Sequence, residues 1–240
     1  MRLICLLLLV ALFTLKLVNA QAPDYNDLTI LYADGNYEKL VKVSEKYTVG
    51  EKTKGDALPY MWLGRALYKI SLSGTDDEKF KTAYKESFAS IGKCIKLDKD
   101  KAVQEEFAEF FDEYRNSVVE AINNEMAMPK KALSWILKYY KINPNSVGAK
   151  YLEAACKFLD NDKTGANVLW KDADKKLAAV NDFETWSEAE KDLLRMGIAK
   201  TAECMLKMKQ DEKAKALVMK VADWFGDDTD FKEVYEKYVG

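Results

Sequence analysis

Apolar residues recur every three or four positions along the chain after its first twenty residues. Side chains at this spacing share one face of an α-helix, whereas a strand would bring every second residue to one face. Lys and Glu fill most of the remaining positions, as expected for solvated helix surfaces. One such stripe consists of Phe107, Phe110, Phe111, Tyr114, Val118, Ile122 and Met126. The pattern therefore predicts an all-α fold.

Turn-forming residues separate these stripes and predict where helices begin and end. Asp34-Gly35-Asn36 and Asn143-Pro144-Asn145 are two examples, since Gly, Asn and Pro favour turns over helix interiors. The breaks predict about five antiparallel helix pairs and a capping helix within a single domain, residues 21–240. The pairs are at about 24–48, 57–98, 103–143, 147–180 and 187–225, and the cap is at 229–238.

The second helix of each predicted pair carries a recurring order of small and bulky residues. A small residue is followed by a bulky one four positions later and by a small one three positions after that. The examples are Ser87/Ile91/Cys94, Ala132/Ile136 with Pro144 after it, Ala166/Trp170/Ala173 and, more loosely, Ala214/Val218/Val221. In a first helix, Tyr60, Leu63, Gly64 and Leu67 follow an aromatic-x₂-Leu-Gly order. These motifs resemble the tetratricopeptide repeat (TPR) family.

This resemblance implies a right-handed superhelical stack of antiparallel helix pairs, a TPR-like solenoid. Small residues are expected where the two helices of a pair cross closely, at Gly64, Ala155 and Ala202 among others. The sequence departs from the family in its repeat length. The equivalent positions Leu40, Ser87, Ala132, Ala166 and Ala214 are 47, 45, 34 and 48 residues apart, against about 34 in the family.

In TPR proteins the first helices line a concave groove that binds an extended peptide or a partner helix. The resemblance assigns two sets of residues to this groove: Leu58, Met61, Arg65, Tyr68 and Lys69 in the second pair, and Met196, Ala199, Glu203, Leu206 and Lys207 in the fifth. The candidate partner-binding residues are Met61, Arg65, Tyr68, Lys69, Met196, Glu203 and Lys207. Arg65 is of interest because a guanidinium offers a planar fork suited to carboxylates.

The N-terminus has the features of a secretory signal peptide. Arg2 precedes an apolar run over residues 3–13, and Val18-Asn19-Ala20 offers a cleavage site. The run is shorter than the ~20 apolar residues of a membrane span, so residues 1–20 predict export to the periplasm, cell surface or exterior with no stable membrane insertion after cleavage. The 37 basic residues less Arg2 and Lys16 then face 39 acidic residues, a net charge of −4. Such a balance disfavours nucleic acid as a partner.

The residue types restrict the possible chemistry. The chain has no His, which excludes His-ligated zinc and Ser-His-Asp or Cys-His catalysis. Cys94, Cys156 and Cys204 are predicted to be buried apolar side chains, although one disulfide among them stays possible. A calcium-like loop begins at Asp160 but has Lys171 where a bidentate Glu should close it. No metal and no cofactor are expected.

These observations favour an exported, non-catalytic protein-interaction module or adaptor that binds a peptide or helix of a protein partner. Two alternatives remain open. A small-molecule or carbohydrate-binding module would need exposed Trp or Tyr side chains clustered in a pocket. A carboxylate-only hydrolase would need two facing carboxylates, and Asp76-Asp77, Asp98/Asp100 and Asp227-Asp228 are the paired carboxylates. All three pairs occur at turns or helix starts, where Asp is a routine cap.

Overall fold

A computed structural model describes residues 23–74 and 77–240. Within these ranges every regular element is helical and no strand occurs, so the all-α prediction is confirmed. The helices are α1 (Asn26–Ala33), α2 (Tyr37–Val49), α3 (Ala57–Ser73), α4 (Ala83–Leu97), α5 (Ala102–Glu106), α6 (Ala108–Glu125), α7 (Pro129–Tyr139), α8 (Val147–Leu159), α9 (Lys163–Leu177), α10 (Glu188–Lys207), α11 (Asp211–Met219), α12 (Ala222–Phe225) and α13 (Thr229–Tyr238). The predicted signal peptide, residues 1–20, lies outside the described residues.

Several helices begin at a polar side chain that accepts a hydrogen bond from the backbone three residues later. Ser146 does this for α8, Asp162 for α9 and Asp228 for α13. Such caps satisfy one of the backbone N–H groups that have no partner in a first helical turn. Asp162 belongs to the calcium-like loop and Asp228 to one of the paired carboxylates, so both are engaged in capping.

The start of α10 has the sequence of a capping box but not its side-chain hydrogen bonds. Ser187 and Glu190 have the spacing of a capping box, yet the Ser187 side chain caps no backbone group. Glu190 is only 8% exposed and accepts hydrogen bonds from the Tyr139 hydroxyl, Asn143 Nδ2 (2.9 Å) and Ser146 Oγ (2.7 Å). A buried carboxylate with three donors replaces the local motif, because leaving the charge unpaired there would be costly.

Consecutive helices pack against each other along most of the chain, and α10 also contacts α6 and α8 directly. The α8–α10 crossing is the closest. A Cβ on Gly197 would lie 2.8 Å from the Gly148 carbonyl oxygen, and a Cβ on Gly148 would overlap the backbone of Leu193 and Leu194. The helices therefore touch backbone to backbone, which only glycine permits at both positions.

A similar close approach joins α3 and α4. A Cβ on Gly64 would lie 2.6 Å from Cγ1 of Ile91. This is the crossing at which the sequence predicts a small residue. Ala155 and Ala202, the small residues predicted for later pairs, are fully buried.

The buried apolar side chains form two clusters that meet at α8. The first extends from Leu28 to Leu193 and the second from Val147 to Phe231. Ala149 and Leu152 of α8 belong to the first cluster, whereas Tyr151 and Ala155 belong to the second. Helix α8 is buried on both sides, so it connects the two halves of the core.

Aromatic rings fill the centre of the first cluster. The Tyr114 ring lies 5.2 Å from that of Tyr68 and 5.4 Å from that of Phe88, within the range of favourable aromatic pairs. The Tyr114 hydroxyl pairs with Ser87 Oγ at 2.6 Å. The small Ser87 of the repeat motif thus makes room for a ring and satisfies its hydroxyl.

Other buried or half-buried tyrosines donate to carboxylates. Tyr139 donates to Glu190, Tyr140 to Glu153 and Tyr151 to Asp174. In each case burial raises the pKa of the phenol, and the neighbouring carboxylate raises that pKa further. The native chain therefore holds these phenols neutral at a pH where an unfolded tyrosine ionises.

We expect Gly148→Ala to lower the free energy of unfolding by about 2 kcal/mol or more, because the added methyl group meets backbone and not a movable side chain. Urea unfolding followed by circular dichroism measures the change. Gly55→Ala is the matched control, since nothing lies within 4 Å of a Cβ at Gly55. Equal stability of the two variants would contradict the close α8–α10 contact.

We also expect stability to fall as pH rises above about 10, the usual pKa of tyrosine. Above this pH the unfolded chain loses phenolic protons that the native chain keeps, so each such tyrosine removes about 1.4 kcal/mol per pH unit. Urea midpoints at increasing alkaline pH test this, with Tyr151→Phe expected to flatten the dependence. An unchanged midpoint up to pH ~11 would refute the prediction.

Candidate binding groove

A cavity of about 360 Å³ opens between α6, α10 and α13. Its apolar lining consists of Met126, Met196, Ala199, Val234 and Tyr238, and its polar lining of Asn123, Lys200, Glu203, Asp230, Glu233 and Lys237. We call this the α6–α10–α13 groove. It brings together Met196, Ala199 and Glu203, three of the residues that the sequence assigns to a groove in the fifth pair.

The helical period explains which α10 side chains reach the groove. Met196, Ala199 and Glu203 follow each other at three and four residues, so they share one face. Leu194 and Ile198 lie on another face and are fully buried in the second cluster. One helix thus supplies both the core and the groove.

The charges at this end of the groove are paired with one another. Glu203 accepts from Lys200 and forms an ion pair with Lys207, each at 2.9 Å. The hydrogen bond from Lys200 and the pairing with Lys207 lower the pKa of Glu203 to about 2. These carboxylate and ammonium groups satisfy one another. Met126 and Met196 pack against the first cluster but are only partly buried, so part of their apolar surface remains accessible in the groove.

A second cavity of about 400 Å³ continues the groove along α6 and α10, sharing Asn123 and Met196 with the first. Arg195 at its edge pairs with Asp192 at 2.6 Å, with Asp228 at 3.3 Å and with Asp230. Asp228 and Asp230 belong to the start of α13. The guanidinium therefore links α13 to α10 at the edge of the groove.

The predicted residues on α3 are placed differently. Met61 is fully buried and Tyr68 is only 3% exposed, so the expectation that both side chains face an open groove is wrong. Each packs in the first cluster, where the ring of Tyr68 meets Tyr114. Lys69 is partly exposed and pairs with Glu113 of α6 at 2.8 Å.

The Arg65 side chain lies among aromatic rings at the edge of the first cluster. Its guanidinium carbon is 4.0 Å from the ring centre of Tyr32 and 5.2 Å from that of Phe110, distances typical of cation–π contacts. It forms no ion pair with a described residue, and its Nε is buried without a hydrogen-bond partner. Arg65 also lines a separate cavity of about 400 Å³ beside Glu105 and Glu109.

The two predicted sets therefore do not form one continuous surface. Helix α3 contacts the N-terminal half of α6 through Lys69 and Glu113. Helix α10 reaches its C-terminal half, where Met126 and Met196 line the same cavity. Sequence reasoning missed Met126, Val234 and Tyr238 as groove residues, because their apolar spacing is that of ordinary core positions.

Several of the side chains that the alternative functions would use have other contacts. Trp62 and Trp170 are buried, and the half-buried Trp224 stacks on Phe183. Asp98 accepts from the backbone N–H groups of Val103 and Gln104 at 3.1 and 2.9 Å. In the described ranges, no three Asp, Glu or Cys side chains converge as a metal site would require.

The three cysteines of the described chain are free and buried. Burial raises the pKa of Cys94 and Cys204 to about 12 and that of Cys156 to about 11. The thiolate is the reactive form of cysteine. These thiols are therefore held in their unreactive form at neutral pH.

No family model, no curated protein and no solved structure matches the chain. Across residues 23–74 and 77–240, none of the helices is long and apolar enough to cross a membrane. The groove geometry and the residue pattern are accordingly the basis for the functional proposal.

We expect Cys94, Cys156 and Cys204 to react with Ellman's reagent only as the chain unfolds. The Cys5→Ser variant isolates these three thiols for the measurement. Labelling should be slow in native buffer and fast and complete in concentrated urea, because access and ionisation both require unfolding. Rapid labelling of any thiol in the native chain would contradict its burial.

Proposed function

We propose that the chain is a non-catalytic protein-interaction module whose α6–α10–α13 groove binds a peptide or a helix of a partner protein. The observation that carries this proposal is the apolar lining built around Met126 and Met196 beneath a rim of charged side chains. Methionine is unbranched and polarizable, so a methionine-lined surface accommodates apolar side chains of varied shape.

The dimensions of the groove suit a segment of polypeptide. The two adjoining cavities of about 360 and 400 Å³ follow the length of α6 and α10. A partner helix would place an apolar side chain against Met126 and Met196 in the first cavity, and polar side chains at the same helical spacing along the second, whose lining is mainly polar and charged. Because Arg195 of α10 already pairs with Asp228 and Asp230 at the start of α13, binding needs little ordering of the receptor.

Arg65 provides a separate contact, outside the groove, for a partner that also reaches the start of α6. Its guanidinium has no carboxylate partner within 4 Å among the described residues. A carboxylate of the bound chain would supply the missing acceptor, and a bidentate pair is geometrically favoured. Glu105, Glu106 and Glu109 line the same cavity, so a basic group next to that carboxylate would add to the match.

The proposed architecture is a TPR-like stack with a tight curve. Support comes from helices that pack in chain order and from the close approach at Gly64. The direct α6–α10 contact joins the third pair to the fifth, whereas repeats of a regular solenoid contact only their neighbours. This curvature creates the groove.

We further propose that the module is exported and acts at the periplasm or the cell surface, as an adaptor in an assembly of the cell envelope. The support is the leader-like segment of residues 1–20. A preformed binding surface suits an adaptor in such a setting.

The test selects peptides that bind the chain from a displayed library and measures their affinity by fluorescence anisotropy. We expect Met196→Gln to weaken binding about tenfold, or about 1.4 kcal/mol, because it places an amide in the apolar lining. Val168→Gln is the matched control, since Val168 on α9 is 64% exposed and does not line the groove.

Arg65→Gln should weaken the binding of only those peptides that contain a carboxylate. This result would distinguish the contact at Arg65 from the contact in the groove. Thermal unfolding of each variant checks that the fold is unchanged. If the selected peptides bind Met196→Gln and Val168→Gln equally well, the proposed groove is not their site.

A further inference from the structure

The second cavity of the groove has an excess of negative charge. Its charged lining consists of Glu120, Glu188, Asp192 and Arg195. Asp228 and Asp230 also pair with this arginine, and Lys191 pairs with Glu188 at 3.1 Å. Counted with these partners, five carboxylates share two basic side chains, which leaves a net charge of −3.

The guanidinium of Arg195 does not neutralise the carboxylates around it. Asp192 pairs with it at 2.6 Å, and yet the pKa of Asp192 lies above its usual value. Burial raises this pKa most, and the charges of Glu188 and Asp228 raise it as well, which outweighs the lowering by Arg195. Glu120 forms no ion pair with a described residue. A positive group from outside the chain is therefore attracted to this cavity.

The first cavity of the groove has a different character. Glu203 is paired there with both Lys200 and Lys207, each at 2.9 Å, so its charge is compensated. Met126 and Met196 are partly buried and keep apolar surface in this cavity. We call the first cavity the apolar end of the groove and the second cavity its acidic end.

The two helices that form the groove fix the spacing between its ends. On α10, Glu188, Asp192 and Met196 follow each other at intervals of four residues, and four helical residues rise about 6 Å. On α6, Glu120 likewise comes before Met126. A helix laid along the groove therefore meets both ends with side chains that are one turn apart on its own surface.

We propose that the partner of the groove is a basic amphipathic helix of another protein. An apolar side chain packs on Met126 and Met196 at the apolar end, and a Lys or Arg one turn away pairs with the carboxylates of the acidic end. This inference rests on the proposed function of the groove and specifies the chemistry of its partner.

Other occupants match only one end of the groove. A neutral helix would leave the carboxylates of the acidic end without a counter-charge. An acidic helix, an anionic lipid headgroup or a nucleic acid would add negative charge to a site that already has an excess of it. A polyamine would supply positive charge but no apolar side chain for Met126 and Met196.

The test uses the full-length chain and those peptides from the displayed library whose binding Met196→Gln weakens. We expect these peptides to carry Lys or Arg three or four residues from an apolar residue. Replacing that basic residue by Gln should weaken binding about fivefold, since a partly exposed ion pair contributes modestly. The difference should largely disappear at about 0.5 M salt, where such charges are screened.

This design separates failure of the inference from failure of the groove. Peptides that depend on Met196 but lack a basic residue, or keep their affinity when it becomes Gln, would overturn the inference and leave the groove intact. If no selected peptide depends on Met196, the groove is not the binding site, and both proposals are overturned.

The complementary variant is Glu120→Gln/Glu188→Gln, which removes two exposed carboxylates that do not pair with Arg195. It should weaken the basic peptides about fivefold and leave their Gln counterparts nearly unchanged. Glu38→Gln/Glu45→Gln on α2 removes the same charge away from the groove and should bind like the unmodified protein. Equal weakening in both double variants would mean that only net charge matters, and it would overturn the inference.

Spermine tests whether charge alone is sufficient for binding, because it carries amine groups but no apolar side chain. We expect spermine to displace the basic peptides far less effectively than an unlabelled copy of the same peptide. Displacement by spermine at the same concentration as the unlabelled peptide would assign the acidic end to a small polyamine and overturn the inference.

Discussion

The backbone contact between Gly148 and Gly197 is the constraint on which the C-terminal half of the structure depends. Helix α8 carries apolar side chains towards both core clusters, so α10 can pack beside it only where side chains are absent. With α10 held this closely, Met196 comes within reach of α6, two helix pairs earlier in the chain. The groove therefore depends on Gly148 and Gly197 having no Cβ atom, although neither glycine lines the groove. A looser crossing would separate α6 from α10 and leave two unrelated helix faces.

The helical fold was predictable because its signals are local. A period of three to four residues, together with Gly, Asn and Pro at the breaks, places nearly every helix, and Pro129 does begin α7. Close packing at Gly64 was predictable for a similar reason, since the motif around it requires a small residue. The close contact at Gly148 and Gly197 was not predictable in this way. A single Gly inside a helix occurs for several reasons, so it does not by itself indicate where two helices cross.

The candidate site was predictable only in part. Periodicity correctly puts Met196 and Glu203 on one face of α10, but it does not reveal what lies opposite that face. Met61 and Tyr68 illustrate the difficulty, because the same spacing that suits a groove also suits a core. Aromatic side chains of α6 cover Tyr68, and Met61 is fully buried. The position of α6 depends on contacts between distant segments, such as Lys69 with Glu113. Such contacts join residues far apart in the chain, so the pattern within one helix does not predict them.

The carboxylate of Glu190 has a kinetic consequence. It receives hydrogen bonds from Tyr139, Asn143 and Ser146, so the end of α7, the turn before α8 and the start of α10 share one acceptor. Opening the start of α10 removes the acceptor from all three donors, and opening either of the other segments removes donors from a buried charge. The three segments should therefore open together, and their backbone amides should exchange with solvent deuterium at a common rate. This junction between helix pairs is therefore expected to open cooperatively and not to bend as a flexible connection.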